Sequence, residues 1–384
     1  MHIILFDPEE VRANLLPLTF TRPVAYLRQG IMTIKEKWEQ ALPEALVETL
    51  PLTEELRPLY GPKQQPTAET VWVAGNILPD EALVETLTAL QPGVELRSGD
   101  RVVARCGDKA EPFEYTAPLN TIDRLPDIFL GNGDEIRRDY KTLTANRVSQ
   151  PLHPSCTLIG NPEDLFIEEG ATLLACTINT MGGPVYIGRG ATVMEGCTLR
   201  GPIALCEASQ FNMGAHVWPD TTIGPHCKVG GEVSNVVFIG YSNKAHDGYL
   251  GNAIIGEWCN LGADCVSSNL KNNYAKVRLW NYRTQSFERT DLQFCGLIMG
   301  DHSKAGINTM FNTATVVGVG CNVYGAGFPR TFIPSFTEGG PQGTKDVILS
   351  RFMETARVVM ARRHIDLSPE QEALYTKLFE DSCQ

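Results

Sequence analysis

The chain has 384 residues, of which 43% are hydrophobic and 20% charged, and its formal net charge is −12. This length allows two or more domains, and an acidic chain without a Lys/Arg run is unsuited to a nucleic-acid scaffold. The first residues, 1–7, become charged too early for a signal peptide, and no apolar stretch is long enough to cross a bilayer. We therefore expect a cytoplasmic protein that binds neither nucleic acid nor a membrane.

Residues 1–150 are predicted to form an α/β domain, because short apolar runs alternate with segments of helical periodicity. In chain order, the prediction gives a strand at 2–6, a helix at 31–42, a strand at 70–74, a helix at 79–90, a hairpin at 94–104 and a helical region at 125–140. This alternation predicts a parallel or mixed sheet with flanking helices.

Residues 151–335 carry a six-residue repeat. Apolar residues recur at every sixth position: Ile187, Val193, Leu199, Leu205, Phe211, Val217, Ile223 and Val229. The same phase returns at Ile255 and Leu261, and again at Met299, Ala305, Phe311, Val317 and Val323. A hexad suits one short strand and a corner, so three hexads close one coil of a β-helix that buries its faces against neighbouring coils.

Cysteine usage in this repeat indicates packing rather than metal binding. Five cysteines occupy the fifth hexad position, where Ala, Ser and Thr occur elsewhere: Cys197, Cys227, Cys259, Cys265 and Cys321. A free Cys behaves as a small hydrophobe, and the dispersed histidines lack the spacing of a zinc site. We predict no metal ligands among these residues.

Residues 271–296 interrupt the repeat with polar and aromatic side chains, including Tyr274, Trp280, Tyr282 and Arg283. An insertion in a solenoid must leave it as a protruding loop, and such loops often carry function. Residues 336–384 are predicted to form helices, at 346–363 and from 368 onward, that cap or pack beside the last coil.

The Ile-Gly-x-x-Ala pattern resembles the hexapeptide-repeat transferases, which implies a left-handed parallel β-helix. Residues 242–262 resemble the acetyltransferase domain of the bifunctional N-acetylglucosamine-1-phosphate uridylyltransferase / glucosamine-1-phosphate N-acetyltransferase. Aligned on Tyr249-Leu-Gly, His246 falls on the catalytic histidine of that family. The resemblance further implies substrate contacts by Lys244, Tyr249 and Asn260, and acetyl-CoA or other acyl-CoA contacts by Ala263 and Asn269.

The chemistry suits these residue types, because imidazole accepts a proton near neutral pH while an amine or hydroxyl attacks a thioester. The alternative for His246 is a surface histidine at a coil corner. The chain also lacks the Arg and Lys that bind substrate phosphate in the family, since this stretch is Val-Gly-Gly-Glu-Val-Ser-Asn at 229–235. Lys244 and Lys304 are candidates for the missing positive charge.

The N-terminal segment Leu-Pro-Leu-Thr-Phe-Thr-Arg-Pro at 16–23 resembles the sugar-phosphate nucleotidyltransferase signature. This resemblance implies nucleotide binding by Arg12 and Arg22, with Asn76 where the family has its magnesium-binding aspartate. Here Asp-Pro-Glu-Glu at 7–10 replaces the Gly-rich phosphate loop, and Asn is a poorer Mg²⁺ ligand than Asp. The sequence is compatible with an active and with a degenerate nucleotidyltransferase domain.

Together these features predict a sugar-phosphate transferase of nucleotide-sugar metabolism, in which the β-helix transfers an acyl group to a sugar phosphate or nucleotide sugar. The family resemblance implies a homotrimer. Two alternatives are a non-catalytic or regulatory sugar-nucleotide-binding protein and a purely structural scaffold.

Overall fold

The computed structural model describes residues 1–107 and 111–382, which form two compact units. The first unit contains Met1–Leu27, Met32–Asp127 and Pro369–Leu374. The second contains Arg28–Ile31, Ile128–Ser368 and residues 375–382. The domain boundaries at residues 150 and 335, which were inferred from the sequence, stay a prediction.

The first unit is built on a six-stranded mixed sheet, as the α/β alternation predicts. Its strands lie in the spatial order Leu46–Leu50, His2–Phe6, Val71–Ala74, Arg101–Cys106, Val94–Ser98 and Glu111–Glu114. The first three are mutually parallel, and the third pairs antiparallel with the fourth. The carboxyl ends of the three parallel strands therefore meet at one edge, where ligands of open α/β sheets usually bind.

Two helices of this unit begin at a side-chain cap. Thr33 and Glu36 form a reciprocal capping box, and Asp80 accepts a hydrogen bond from the Leu83 amide. The helices are Glu9–Asn14, Ile34–Ala41, Arg57–Tyr60 and Glu81–Thr88, with 3-10 turns at Leu18–Phe20, Val24–Tyr26 and Glu54–Leu56 and a two-stranded pair at Ile77–Leu78 and Asn120–Thr121. The region predicted as helical at 125–140 forms two helices, Leu125–Leu130 and Asn132–Thr144, and the second of them belongs to the second unit.

The second unit is a parallel β-solenoid with three faces. Strands of its first face are Thr157–Ile159, Thr177–Asn179, Thr198–Arg200 and His216–Val217, with a separate pair Val266–Ser267 and Met310–Phe311. Strands of its second face are Leu165–Ile167, Val185–Ile187, Ile203–Leu205, Thr221–Ile223, Ile298–Met299, Val316–Val317 and Phe332–Ile333. Two long strands, Glu232–Gly240 and Tyr249–Glu257, pair in parallel and join these two faces.

The third face carries the site discussed below. Its strands are Thr172–Leu173, Thr192–Val193, Gln210–Phe211, Lys228–Val229, Asn243–Lys244, Asn260–Leu261, Lys304–Ala305, Asn322–Val323, Thr337–Gly340 and Gly343–Asp346. All its pairings are parallel except the last. A 3-10 turn at Pro162–Asp164 precedes the second coil.

The sixth-position residues fill the solenoid interior, which confirms the repeat as the source of the core. Every apolar residue of that series from Ile187 to Val229 is at most 3% exposed. The five fifth-position cysteines are free thiols and at most 1% exposed, as packing predicts. Each coil therefore contributes one layer of aliphatic side chains to a continuous core.

Aromatic rings stack along one corner of the solenoid, at positions with positive φ. His226, Tyr241, Trp258 and His302 follow one another with centroid distances of 4.9, 4.3 and 6.1 Å. The C-terminal helices, Leu349–Ala361 and Pro369–Ser382, pack beside this ladder, and Tyr375 Oη lies 3.0 Å from His302 Nε2. The prediction of C-terminal helices is confirmed.

The insertion at 271–296 differs from the predicted protruding loop. It contains an antiparallel hairpin, Arg278–Asn281 with Ser286–Arg289. Trp280 stacks on Phe332 at 4.0 Å, and Tyr282 meets the same ring edge-on at 5.4 Å. The hairpin folds back because these two aromatic side chains bury apolar area against the second face. Tyr274 is 67% exposed.

Across residues 1–107 and 111–382, no helix combines the length and apolar character that a bilayer span requires.

Candidate functional site

His246 lies on a corner of the solenoid that is longer than the corner before it. We define the His246 corner as residues 245–248, which connect Lys244 on the third face to Tyr249 on the first. One coil earlier only Gly230 and Gly231 make this connection, although the flanking residues pair in register. Four residues also make this connection in neighbouring coils, at 212–215 and 262–265, so the corner of Gly230 and Gly231 is the short one. His246 is exposed on a corner of ordinary length.

Lys244 explains how the short and long corners fit together. It occupies a sixth-position site, is fully buried, and donates from Nζ to the carbonyl oxygens of Gly230 (2.9 Å) and His246 (2.8 Å). Burial lowers the pKa of Lys244 to about 8, although Cys265 and two aspartates act in the opposite direction. The ammonium is thus engaged inside the solenoid, where it ties the His246 corner to the coil before it.

Tyr249 and Asn269, two residues predicted to bind ligands, lie in direct contact. Asn269 Nδ2 donates to Tyr249 Oη at 3.0 Å and to Asn252 Oδ1 at 2.8 Å. A Cβ on Gly251 would lie 2.2 Å from Tyr249 Oη, so the absent side chain makes room for this pair. Burial raises the pKa of Tyr249, so its hydroxyl stays a proton donor at neutral pH.

Ala263 occupies the corner directly after the His246 corner. The two corners stack, since the Asp264 amide donates to the Asp247 carbonyl at 3.1 Å. The next corner stacks on the corner of Ala263 in the same way, since the Asn308 amide donates to the Ala263 carbonyl at 2.8 Å. The following corner carries Ile307, which is 71% exposed. The structure therefore places His246 and Ala263 on adjacent coils of one edge.

A cleft of about 740 Å³ lies beside Asn269, on the side of the insertion. Ser268, Leu270 and Lys271 line it together with Arg278 of the hairpin and Phe328. Phe328 is 54% exposed. The cleft thus joins amide and hydroxyl groups to an apolar wall and two cations, a lining typical of small-molecule sites.

Asn260 lies on a different surface from the other predicted residues. It is exposed on the outside of the third face, where it pairs with Asn243 on one side and Lys304 on the other. Lys304 Nζ donates to the carbonyl oxygens of Trp258 (2.6 Å) and His302 (2.9 Å). The predicted site residues therefore divide between two surfaces that meet at the His246 corner.

In the N-terminal unit, Asp7 lies in the segment where sugar-phosphate nucleotidyltransferases have their Gly-rich phosphate loop. Its carboxylate accepts hydrogen bonds from the amides of Val24 (2.8 Å) and Leu52 (3.3 Å). Burial lowers the pKa of Arg12, and the nearby Asp7 and Glu55 carboxylates raise it. The positive charge of Arg12 is thus partly compensated inside the protein, and Arg22 is only 3% exposed.

Asn76 is buried at the end of strand Val71–Ala74, and its Nδ2 donates to Asp123 Oδ1 at 2.9 Å. The other oxygen of Asp123 accepts from Arg101 (2.9 Å) and Thr121 (2.8 Å). Asn76 Oδ1 is buried without a hydrogen-bond partner in the described part of the chain. These residues do not fit Mg²⁺, because both carboxylate oxygens are engaged and a guanidinium already neutralises the charge.

Several residues near these sites were missed by the sequence reasoning. Asn252 and Asp123 are the partners of Asn269 and Asn76, and only the fold brings them together. A periodic signal did exist for Lys228 and Asn243, which precede an inward residue as Asn260 and Lys304 do. Within residues 1–107 and 111–382, no group of three or more His, Cys, Asp and Glu side chains is arranged to hold a metal ion.

Comparison with known proteins supports the family resemblance. A family model described as sugar nucleotidyl transferase matches residues 3–148. The bifunctional protein GlmU of Methanocaldococcus jannaschii is 32% identical over 111 residues, which cover 28% of this chain and 26% of the relative. GlmU of Corynebacterium glutamicum strain R is 29% identical over 196 residues, covering 50% of this chain and 30% of the relative.

The chain is similar to GlmU over part of its length. It spans about a quarter to a third of the length of these GlmU proteins. Among solved structures, a mutant of AntD, an N-acyltransferase from Bacillus cereus in complex with dTDP-4-amino-4,6-dideoxyglucose and coenzyme A, is similar at 12% identity. That similarity has a TM-score of 0.22 and covers 54% of this chain and 91% of AntD, and it supports no argument about the site.

Proposed function

We propose that the solenoid transfers an acyl group from acetyl-CoA or another acyl-CoA to a sugar phosphate or nucleotide sugar, with His246 as general base. The observation that carries this proposal is the geometry of the His246 corner. It holds an exposed imidazole one coil from Ala263, and the Tyr249–Asn269 pair follows on the next face. A buried lysine fixes the backbone of the corner.

The proposed reaction needs one proton acceptor. An amine or hydroxyl of the sugar attacks the thioester carbonyl carbon while His246 accepts the proton that the nucleophile loses. The resulting tetrahedral intermediate collapses, the carbon–sulfur bond breaks, and the imidazolium returns the proton to the departing sulfur. The products are an acylated sugar and free coenzyme A.

The neighbouring groups bind and orient the reactants. Tyr249 Oη accepts from Asn269 and retains its own proton for a substrate oxygen. The 740 Å³ cleft beside Asn269 offers Phe328 and the two cations Lys271 and Arg278 to a long, anionic co-substrate. Coenzyme A combines an extended pantetheine arm, which has both methylene and amide groups, with phosphate groups.

The test is the His246→Ala variant, assayed by release of free thiol from acetyl-CoA in the presence of amino-sugar phosphates and UDP-amino sugars. We expect acyl transfer to fall by about 10²- to 10⁴-fold with an unchanged melting temperature, because the side chain is exposed. The matched control is His216→Ala, another exposed histidine on the solenoid. Equal rates in the wild type and His246→Ala would refute the proposal.

We further propose that the N-terminal unit is a degenerate nucleotidyltransferase. Asp7 fills the phosphate-loop segment, Arg12 is paired with carboxylates, and Asn76 faces an engaged Asp123. We expect little or no pyrophosphate release from UTP or dTTP with a sugar 1-phosphate and Mg²⁺, whether or not His246 is present. Robust pyrophosphate release by the unmodified chain would contradict this.

The main alternative is a non-catalytic protein that binds sugar nucleotides. Its signature would be ligand-induced stabilisation of the native state without thiol release. We place the protein in the cytoplasm as a homotrimer, and its free cysteines suit a reducing compartment.

A further inference from the structure

A second cleft, of about 440 Å³, lies on the outside of the third face. We call it the basic cleft and define it by six polar side chains that line it: Lys228, Asn243, Asn260, Lys304, Arg362 and Arg363. Four come from successive strands of the solenoid, and the two arginines follow helix Leu349–Ala361. None of the functions proposed above uses its two arginines or Lys228.

The charge of this cleft is opposite to that of the whole protein. Four of its lining side chains are cationic, and no acidic residue is found in the described lining. The chain as a whole carries a formal charge of −12. A site that gathers cations in an acidic protein attracts anions locally, because charges across a cleft of low dielectric are poorly screened.

The cations are held in place by the fold. Arg363 donates from its guanidinium to the carbonyl oxygen of His226 (3.4 Å) and to Asn243 Oδ1 (3.3 Å). Lys304 donates to two carbonyl oxygens, and an ammonium has three N–H groups, so one remains for a ligand. Such pre-positioned donors lose little conformational entropy when an anion binds.

The cations are also spread along the cleft. The backbone register places Lys228, Asn243, Asn260 and Lys304 on four consecutive parallel strands. Adjacent strands lie about 4.8 Å apart, so the Cα atoms of the two lysines are separated by about 14 Å. The two asparagines between them offer amide donors and acceptors. One phosphate group is too small to engage both ends of this row.

We propose that the basic cleft binds a diphosphate ester, with Lys228, Arg362 and Arg363 at one end and Lys304 at the other. The proposal concerns binding alone and goes beyond the acyl transfer assigned to His246. Two sources share this chemistry, a nucleotide sugar and coenzyme A. Ala245 lines the cleft and precedes His246, so either ligand would lie next to the His246 corner.

Isothermal titration calorimetry with four probes tests the proposal: UDP-N-acetylglucosamine, coenzyme A, inorganic pyrophosphate and inorganic phosphate. We expect at least one of the two esters, and pyrophosphate, to bind at least tenfold more tightly than phosphate. Affinity should fall as ionic strength rises, because the contacts are electrostatic. Binding of one ester alone identifies the source of the diphosphate.

The variants isolate the cleft from the rest of the protein. The double variant Arg362→Gln/Arg363→Gln should weaken binding at least tenfold. The control Arg351→Gln, at an exposed arginine of helix Leu349–Ala361 outside the cleft, should leave Kd unchanged. Lys228→Gln is a second cleft variant, in which the substituted residue lies on the solenoid and not in the C-terminal segment. It should also weaken binding. Melting temperatures confirm that each variant is folded.

Three outcomes would overturn the inference. They are the absence of binding by all four probes at millimolar concentration, equal affinity for phosphate and pyrophosphate, and cleft variants that bind as well as Arg351→Gln. The His246→Ala variant should retain diphosphate binding. Failure of the acyl-transfer proposal would appear as unchanged turnover in that variant and is therefore separate from failure of the binding proposal.

Discussion

Ionisable side chains that leave water lose hydration, and the protein must replace it with other contacts. Lys244 meets this requirement with two backbone carbonyl groups, both on corners of the solenoid. Its position in the repeat is one that an aliphatic residue fills in other coils, so the lysine exchanges apolar packing for a tie between corners. Lys244 thus fixes the backbone that presents His246, and its contact with substrate stays a prediction.

Asp7 gives a prediction about pH. Burial raises the pKa of Asp7 from 3.8 to about 6, against the opposing effects of the Val24 and Leu52 amides and Arg12. The folded state therefore binds more protons than the unfolded state between about pH 4 and 6, and the free energy of unfolding falls as pH rises through this window. A shift of two units corresponds to roughly 3 kcal/mol.

We expect Asp7→Asn to remove this dependence. Between pH 4 and pH 7, the free energy of unfolding of the wild type should fall by roughly 2–3 kcal/mol more than that of Asp7→Asn. Urea denaturation at the two pH values measures this difference. Glu9→Gln, at an exposed carboxylate two residues away, is the control for loss of charge and should follow the wild type. An identical pH difference in Asp7→Asn and the wild type would show that the carboxyl titrates normally.

At the scale of elements, the His246 corner depends on the short corner beside it. Because Gly230 and Gly231 make the connection with two residues fewer, the next coil's corner approaches their backbone closely. Asn212 crosses the gap and donates from Nδ2 to the Ala245 carbonyl at 2.7 Å, two coils away. The short corner thus determines where the imidazole projects.

Gly231 and Gly214 offer a matched pair to test this. Both have φ of +71°, so alanine is strained equally at either position, but only at Gly231 would a Cβ meet another corner, 2.8 Å from Asp247 Cα. Nothing lies within 4 Å of a Cβ at Gly214. We expect Gly231→Ala to reduce acyl transfer by at least tenfold. Gly214→Ala should keep its activity, and its loss of stability should not exceed that of Gly231→Ala.

Melting temperature and turnover are measured on both variants. If Gly231→Ala retained the wild-type rate, the position of the His246 corner would not depend on the short corner. If both variants lost activity equally, backbone strain rather than displacement of the corner would be the cause.

Sequence periodicity was sufficient to predict the solenoid, because each sixth-position residue reports directly on the core. Local patterns also predicted a parallel or mixed sheet and helices at 31–42 and 79–90, which the structure places at Ile34–Ala41 and Glu81–Thr88. They could not predict that Trp280 and Tyr282 would fold back onto Phe332, because that contact joins distant segments. The basic cleft could not be predicted for the same reason, since its arginines lie about 120 residues from Asn243 in the sequence.

At the scale of the whole molecule, the solenoid offers straight, rigid faces that suit association about a three-fold axis. The insertion is a candidate for the contact between chains, because its aromatic residue types are enriched at protein interfaces. Because Trp280 and Tyr282 pack within their own chain, the large aromatic side chains of the insertion that stay exposed are Tyr274, at 67%, and Phe294, at 47%. Tyrosine is enriched at protein interfaces, so the trimer proposal now depends on Tyr274, the more exposed of the two, which precedes the hairpin, rather than on the hairpin itself.

We therefore expect light scattering to give three times the mass of one chain at micromolar concentration, and Tyr274→Ser to lower this mass. The control is Val358→Ser, which removes a side chain of comparable exposure, 60%, from helix Leu349–Ala361. Val358→Ser should keep the wild-type mass, because the helix is not part of the proposed interface. A monomeric wild type would exclude a site shared between chains, and acyl transfer would then have to proceed on one solenoid.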